Sequence, residues 1–210
     1  MYCADVGSIK QGRFGWAREE VPTGDLERHR GGTEIRELVD ALEEDLAAGI
    51  PVALGFECPL FVPVPEDAFR LGAARSGDGN RAWSAGAGTG ALTTGLVQAA
   101  WVLAELRKRR PDERLYLDWA TFEAGGSGGG RLFLWEAFVT GEAKAATHVD
   151  DAIVAVACFT AALPNPTDAT AVTAERPLSL VGTAALWAYW TDDVALLHAP
   201  CLVLKAGAPP

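Results

Sequence analysis

Three segments of the chain place acidic residues at the ends of apolar runs. Asp5 follows the apolar residues 2–4, and Glu57 follows the apolar run 51–56. Further along, His148 and Asp151 stand at the start of the apolar run 152–163. A carboxylate has weak strand propensity and is costly to bury without a partner. Acids at such positions therefore indicate a shared chemical role.

Carboxylates that converge on one point repel one another and need cations. His148 and Asp151 are three residues apart, so both face one side of the first turn of a helix, whereas Asp150 should face elsewhere. Oxygen ligands favour Mg²⁺ or Mn²⁺. Two such ions can activate water and stabilise the leaving oxygen in phosphodiester cleavage. The pattern thus predicts a carboxylate-held site for two ions.

The same acids also have purely structural explanations. Asp5 could only cap a turn, which is a common role of aspartate. Asp150 and Asp151 could be helix caps, because a helix N-terminus tolerates acids well. The turn Gly7-Ser8 adds another option, since a Gly-Ser turn after such an aspartate can cradle a nucleotide phosphate.

The hydrophobic pattern predicts the strands and helices that must position these residues. Continuous apolar runs are typical of strands covered on both faces, and apolar residues at spacings of three and four indicate helices. The predicted strands are residues 2–8, 13–17, 20–26, 51–57, 114–123, 131–139 and 201–205. The predicted helices are residues 33–48, 92–109, 153–163 and 178–190.

Several local features refine this outline. The first two strands should form a hairpin, because Gly12 allows the turn. Thr33 is the predicted N-cap of the first helix and Gly49 its stop. A strand, a helix and a strand in this order indicate a right-handed crossover between parallel neighbours. Residues 61–90 have no regular pattern and are predicted to be a long functional loop or lid.

The composition is that of an ordinary globular chain. It has 210 residues, of which 49% are hydrophobic and 22% charged, enough for one domain with a full core. Its formal net charge of −10 argues against broad, non-specific binding to nucleic acid. The four cysteines form no CxxC pair, which argues against a zinc site and favours a reducing cytoplasm. We also expect neither a signal peptide nor a membrane span.

One dense basic cluster stands out against this acidic background. It comprises Arg107, Lys108, Arg109 and Arg110 at the end of a predicted helix. Basic residues there complement the helix dipole, and this explanation is favoured over a nucleic-acid patch.

Taken in chain order, three short motifs resemble those of RuvC-type nucleases. The motifs are Asp5-Val6-Gly7-Ser8 with Gly15-Trp16-Ala17, then Phe56-Glu57, and finally His148-x-x-Asp151-Ala152. The nuclease domains of RNA-guided CRISPR effectors share this form. The chain is also similar to a group of bacterial proteins with an RNase H-like fold that carry a stretch comparable to Arg75-Ser76-Gly77-Asp78. The resemblance spans about residues 3–157.

The resemblance implies both a fold and an activity. The fold would be an α/β RNase H-like domain over residues 1–210, with a mixed sheet, an N-terminal hairpin, helices on both faces and an insertion at about 61–110. The activity would be that of a Mg²⁺- or Mn²⁺-dependent nuclease acting on nucleic acid. Asp5 would bridge both ions, Glu57 would hold one and Asp151 the other. His148 would be a ligand or the general base.

Two other functions and several details stay open. An actin-like phosphotransferase or nucleotide-binding protein shares the Asp-x-Gly-Ser start but usually needs a second Asp-x-Gly turn, for which Asp78-Gly79 is the nearest candidate. A non-catalytic RNase H-like module that binds a protein partner fits the acidic charge and the seven tryptophans. A third buried acid is Asp118, Glu136 or neither, and the oligomeric state, a homodimer included, is not determined.

Overall fold

The computed structural model describes residues 1–20, 30–126 and 129–207. Nine strands are described. They are β1 (Tyr2–Asp5), β2 (Gly15–Arg18), β3 (Arg30–Gly32), β4 (Val52–Phe56), β5 (Phe61–Pro63), β6 (Arg114–Tyr116), β7 (Arg131–Val139), β8 (Pro177–Ser179) and β9 (Leu202–Ala206). The α-helices within the same ranges are α1 (Ile35–Ala47), α2 (Ala87–Arg109), α3 (Trp119–Ala124), α4 (His148–Ala161) and α5 (Leu180–Trp187).

Seven of these strands form a mixed sheet. Its order is β3-β2-β1-β4-β7, and β7 then pairs with β6 along its first part and with β9 along its second. The first three strands are antiparallel, and β1, β4, β7, β6 and β9 pair in parallel. The predicted hairpin is therefore confirmed, and so is an α/β fold with a mixed sheet. The parallel neighbour of the strand after α1 is β1, the first strand of the hairpin, whereas β3, the described strand directly before α1, pairs with β2.

Helices cover both faces of this sheet because the central strands are apolar on both. Tyr2 and Leu54 face one core with α1, α2 and α5. Cys3 and Ala53, their neighbours in the same two strands, face the other core with α3 and α4. This alternation follows from the two-residue period of a strand. None of the helices within the described ranges is both long and apolar enough to cross a bilayer.

The prediction of a loop over residues 61–90 is wrong for the first and the last residues of that range. Its first residues form β5, which pairs antiparallel with β8 in a separate two-stranded sheet. Its last residues belong to α2, which begins at Ala87 rather than at residue 92. A three-residue strand is defined by its partner, and β8 lies more than a hundred positions away in sequence. Local patterns could not reveal this pairing.

The predicted strand over 114–123 is correct only in its first part. After β6 the chain turns at Asp118, whose side chain accepts a hydrogen bond from the backbone N–H of Thr121 at 2.8 Å and so caps α3. Trp119 and Phe122, three residues apart, then pack on Phe133 of β7. That spacing of aromatic residues fits a helix better than a strand.

Smaller differences concern the ends of elements. The strand expected at 20–26 lies almost entirely on residues 21–26, outside the described ranges, and the next described strand is β3. The N-cap of α1 is Glu34 and not Thr33. Gly49 follows α1 with a φ of 72°, so its predicted role as the stop is supported. The helix predicted at 178–190 is shorter, because residues 177–179 form β8.

Candidate metal centre

The ends of parallel strands bring three acidic residues to one edge of the sheet. Asp5 is the last residue of β1, and Glu57 follows β4, where its backbone N–H donates to the carbonyl of Ala4 at 2.8 Å. Glu136 of β7 lies opposite Phe56 in the parallel register. Because these strands run in the same direction, all three acids line one pocket.

Helix α4 begins against β2 because residue 15 is a glycine. A Cβ atom there would lie 2.3 Å from the backbone carbonyl carbon of His148 and 2.5 Å from the backbone nitrogen of Val149. Gly15 is the partner of Asp5 in the hairpin, so this close approach brings His148 to Asp5. The Nδ1 atom of His148 contacts Oδ2 of Asp5. The carboxylate is buried, and the imidazole is 38% exposed.

Three of the four predicted site residues lie close together. Asp5, His148 and Asp151 each offer a ligand atom, and these atoms lie within 4.8 Å of one another. The Oδ1 atom of Asp151 also accepts the backbone N–H of Ala145 at 2.7 Å, which fixes the carboxylate. Asp150 instead accepts a hydrogen bond from the hydroxyl of Thr147 at 2.7 Å. Asp150 thus serves the helix start, and Asp151 belongs to the cluster.

A lysine that the sequence patterns do not single out links the fourth residue to the others. The Nζ atom of Lys144 lies 2.9 Å from Oε1 of Glu57 and 2.7 Å from Oδ2 of Asp151. The second oxygen of Glu57, Oε2, is buried and has no hydrogen-bond partner among the described residues. The only signal for Lys144 in the sequence is its nearness to His148. We name these five residues, Asp5, Glu57, Lys144, His148 and Asp151, the open acidic centre.

Burial and mutual repulsion shift the pKa values of this centre. Burial, together with the nearby charge of Asp5, raises the pKa of Glu57 to about 8, although Lys144 opposes the shift. Burial opposes the charged form of Lys144, but its bonds to Asp151 and Glu57 outweigh that effect and raise the pKa of the amino group. Lys144 is therefore a permanent cation at neutral pH.

Two cysteines near the centre can be excluded as nucleophiles. Burial raises the pKa of the Cys3 and Cys58 thiols well above their ordinary value, and neighbouring carboxylates raise it further. A thiol becomes a strong nucleophile only as the thiolate. The chemistry of this pocket must therefore come from its carboxylates, the histidine and the lysine.

A pocket of about 200 Å³ opens onto the open acidic centre. Its opposite wall is the start of α2, where the small residues Ala87, Gly88 and Ala91 leave room. The exposed Arg81 stands at the pocket as well, and its guanidinium has no hydrogen bond or ion pair with any residue in the described ranges. The pocket therefore pairs an acidic floor with one free cation at its edge.

A second group of buried charges reaches the same pocket through Arg75 and Glu136 but is fully paired. Arg75 binds both oxygens of Glu136, at 2.6 and 2.7 Å, and its Nε atom donates to Asp78 at 3.1 Å. The backbone N–H of Leu60 donates to Glu136 at 2.8 Å. We name Arg75, Asp78 and Glu136 the closed triad. Glu136 is thus not part of the cluster around Asp5, and Asp118 caps α3 instead.

The basic cluster at the end of α2 is engaged in local contacts. Lys108 pairs with Glu105 at 2.6 Å, and Arg109 pairs with Asp40 at 2.6 Å. The cluster's last residue, Arg110, binds Glu113, and Arg107 lies over the ring of Trp190. These pairings support the structural explanation of the cluster.

Comparisons with known proteins do not assign the chain to a family. No family model matches it, and neither the curated proteins nor the solved structures give a match.

Proposed function

We propose that the protein is a metal-dependent nuclease of the RuvC or RNase H-like type, which hydrolyses phosphodiester bonds. The observation that carries this proposal is the meeting of Asp5, His148 and Asp151 within 4.8 Å at the edge of the sheet. These residues belong to two of the motifs that resemble RuvC-type nucleases. The mixed sheet with its N-terminal hairpin and helices on both faces is compatible with the RNase H-like fold that the resemblance implies.

The donors of the open acidic centre fit a hard divalent cation. Its carboxylate oxygens are the donors that suit Mg²⁺ or Mn²⁺, and the imidazole of His148 is one softer donor beside them. The buried Oε2 atom of Glu57 lacks a partner among the described residues, so it can accept a further ligand. The centre has three carboxyl groups, those of Asp5, Glu57 and Asp151, but only one ammonium group, that of Lys144, which pairs with Glu57 and Asp151. The centre therefore has an excess of negative charge that a cation would neutralise.

A divalent ion held by Asp5, His148 and Asp151 would polarise a phosphodiester and lower the pKa of the attacking water. The residues of the chain supply orientation and proton transfer. An ionised carboxylate can only accept a hydrogen bond, so Oδ2 of Asp5 accepts the hydrogen bond that Nδ1–H of His148 donates. The other ring nitrogen, Nε2, is then free to accept a proton from water. His148 is therefore proposed as the general base whenever it is not itself a ligand.

The substrate should contact the protein over a small area. The net charge of −10 and the pairing of the basic cluster argue against a long, non-specific duplex interface. Arg81 is the cation best placed at the pocket to contact a phosphate. A structured or branched nucleic acid, which offers one distorted phosphodiester, fits this arrangement better than a uniform duplex.

The position of the Gly7-Ser8 turn makes the nucleotide-binding alternative less well supported than the nuclease. Gly7 and Ser8 line a shallow depression with Thr93, Thr94 and Val97, and neither residue is among those lining the pocket of the open acidic centre. A Cβ on Gly7 would lie 1.7 Å from the carbonyl oxygen of Arg13, so the turn is closed against its own hairpin. Tight binding of ATP in calorimetry would nevertheless favour this alternative.

The test is Mn²⁺ calorimetry and nuclease assays on the wild type and on Asp5→Asn. We expect the variant to fold normally by circular dichroism, to lose Mn²⁺ binding and to lose cleavage of branched, duplex and single-stranded substrates alike. Asp150→Asn is the matched control, because Asp150 lies in the same helical turn as Asp151 but bonds to Thr147. Full Mg²⁺-dependent activity in Asp5→Asn would remove Asp5 from the mechanism, and activity in neither protein would favour the non-catalytic module.

A further inference from the structure

Lys144 occupies an unusual position for a lysine in a centre of this kind. It follows the short turn Gly141–Ala143 after β7, and its side chain is 36% exposed. Its Nζ atom lies between two acids of the centre that come from different elements, Glu57 after β4 and Asp151 on α4. These two ion pairs hold the ammonium group inside the pocket rather than at the outer surface.

The lysine therefore stands where Glu57 and Asp151 would together hold a cation. Its distances to their oxygens, 2.9 and 2.7 Å, are those of charge-assisted hydrogen bonds. Asp5 and His148 are not among its hydrogen-bond or ion-pair partners, although the charge of Asp5 still acts on it. Asp151 therefore belongs both to the group paired with Lys144 and to the cluster with Asp5 and His148, and the first of these already contains a positive charge.

The charges of the centre balance with one divalent ion and not with two. Glu57 keeps its proton at neutral pH in the metal-free protein, but a bound cation favours its ionised form. Asp5, Glu57 and Asp151 then together carry three negative charges. Lys144 supplies one positive charge, and a single divalent ion supplies the other two. A second divalent ion would leave a positive excess in a buried place and would have to share two carboxylates with an ammonium group. A second ion and the ammonium group would then be positive charges bound to the same carboxylates, and they would repel strongly in a pocket with little water.

We propose that the ammonium group of Lys144 takes the place of a second metal ion, so that this protein has a one-metal centre. The proposal rests on the proposed function, since it assumes the metal site at Asp5, His148 and Asp151. In this arrangement Lys144 is a positioning residue that keeps Glu57 and Asp151 oriented and neutralised. It differs from the two-ion site that the sequence motifs imply.

The number of bound ions tests this directly. Calorimetric titration with Mn²⁺ should give one ion per wild-type chain and two per chain of Lys144→Met. The spin-resonance spectrum should change from that of isolated Mn²⁺ to that of a coupled pair. Adding Glu57→Gln to Lys144→Met should return the number to one, because the second ion then loses a ligand. Lys108→Met, which removes a lysine paired with the surface acid Glu105, should leave one ion.

The outcomes separate this inference from the proposed function. Two ions on the wild type, or one ion on a folded Lys144→Met, would overturn the role of Lys144 while leaving a metal-dependent nuclease intact. The wild-type titration alone can give the first of these results, so the test does not depend on the folding of a variant. Binding of Mn²⁺ to neither protein would remove the metal site itself and this inference with it.

Discussion

Two groups of buried acids lie at or beside the pocket, and they differ in how completely their carboxylates are paired. In the closed triad, Arg75 binds Glu136 with two hydrogen bonds and Asp78 with a third, and the side chains of Arg75 and Glu136 are each only 2% exposed. In the open acidic centre, Oε2 of Glu57 has no hydrogen-bond partner among the described residues, and His148 is partly exposed. One group satisfies itself, whereas the other has unused binding capacity.

The difference gives the two groups different capacities to bind a ligand at nearly the same place. A buried charge must be paired, and the bidentate guanidinium of Arg75 pairs a carboxylate completely. Such a group fixes the loop of Arg75 and Asp78 against β7 and has no capacity left for a ligand. A flexible lysine shared between two acids leaves oxygens available. Acids whose oxygens are all paired therefore stabilise the fold, whereas an acid with an unpaired oxygen can still bind a ligand.

The largest expected effect is the loss of stability when the closed triad loses its cation. Arg75→Met should lower the free energy of unfolding by about 3–5 kcal/mol in urea denaturation, because it leaves two buried carboxylates without their cation. Arg30→Met is the control, since Arg30 pairs with Glu44 at 2.8 Å but both side chains are more than half exposed. That variant should lose no more than about 1 kcal/mol. A loss of similar size in both variants would contradict the structural role of the triad.

The sequence predicted four of the five residues of the open acidic centre and missed Lys144, which pairs with two of its acids. Asp5, Glu57 and Asp151 could be found because each ends or begins an apolar run. Strand order brings Asp5 and Glu57 to one edge of the sheet, and the close approach of α4 to Gly15 adds Asp151. Lys144 could not be found, because it lies in a polar stretch without periodicity and reaches the acids only through the turn at Gly141, whose φ is 61°. The motif Arg75-Ser76-Gly77-Asp78 was noticed, but its partner Glu136 is sixty-one positions away.

The same limit applies to the fold. Local apolar patterns predict burial, and so they predicted three of the strands, β1, β4 and β7, and two of the helices, α1 and α4. Strands β5 and β8 have three residues each, and each is a strand only because it pairs with the other. No local sequence pattern therefore predicts them. The helix α3 was mistaken for a strand because its apolar residues continue those of β6. Tertiary context overrides local propensity in such short segments.

The second prediction concerns the pH dependence of stability in the metal-free protein. The pKa of Glu57 in the folded state, about 8, lies above its ordinary value of 4.5. The folded protein therefore binds a proton that the unfolded chain has lost, and this group makes stability fall as pH rises from about 5 to about 8. The contribution can reach ~1.4 kcal/mol per pH unit.

Urea denaturation in EDTA between pH 5 and pH 8 measures this contribution. Glu57→Gln has no proton to lose, so its stability should fall less steeply than that of the wild type over the same interval. Glu142→Gln is a suitable control, because Glu142 is an exposed acid in the turn next to Lys144. Identical slopes in the wild type and in Glu57→Gln would show that Lys144 neutralises Glu57 completely and that the centre is closed too.

The smallest expected effect concerns Arg81, the cation at the pocket that has no partner among the described residues. If it contacts a phosphate, Arg81→Ala should weaken nucleic-acid binding uniformly and reduce the slope of log K against log salt by about 0.7–0.9, the value for one contact. Binding is measured in the Asp5→Asn background, so that cleavage does not interfere. Arg70→Ala, an exposed arginine that does not line this pocket, should leave the slope unchanged. Equal slopes for both variants would place the substrate on another surface and would separate the open acidic centre from nucleic-acid binding.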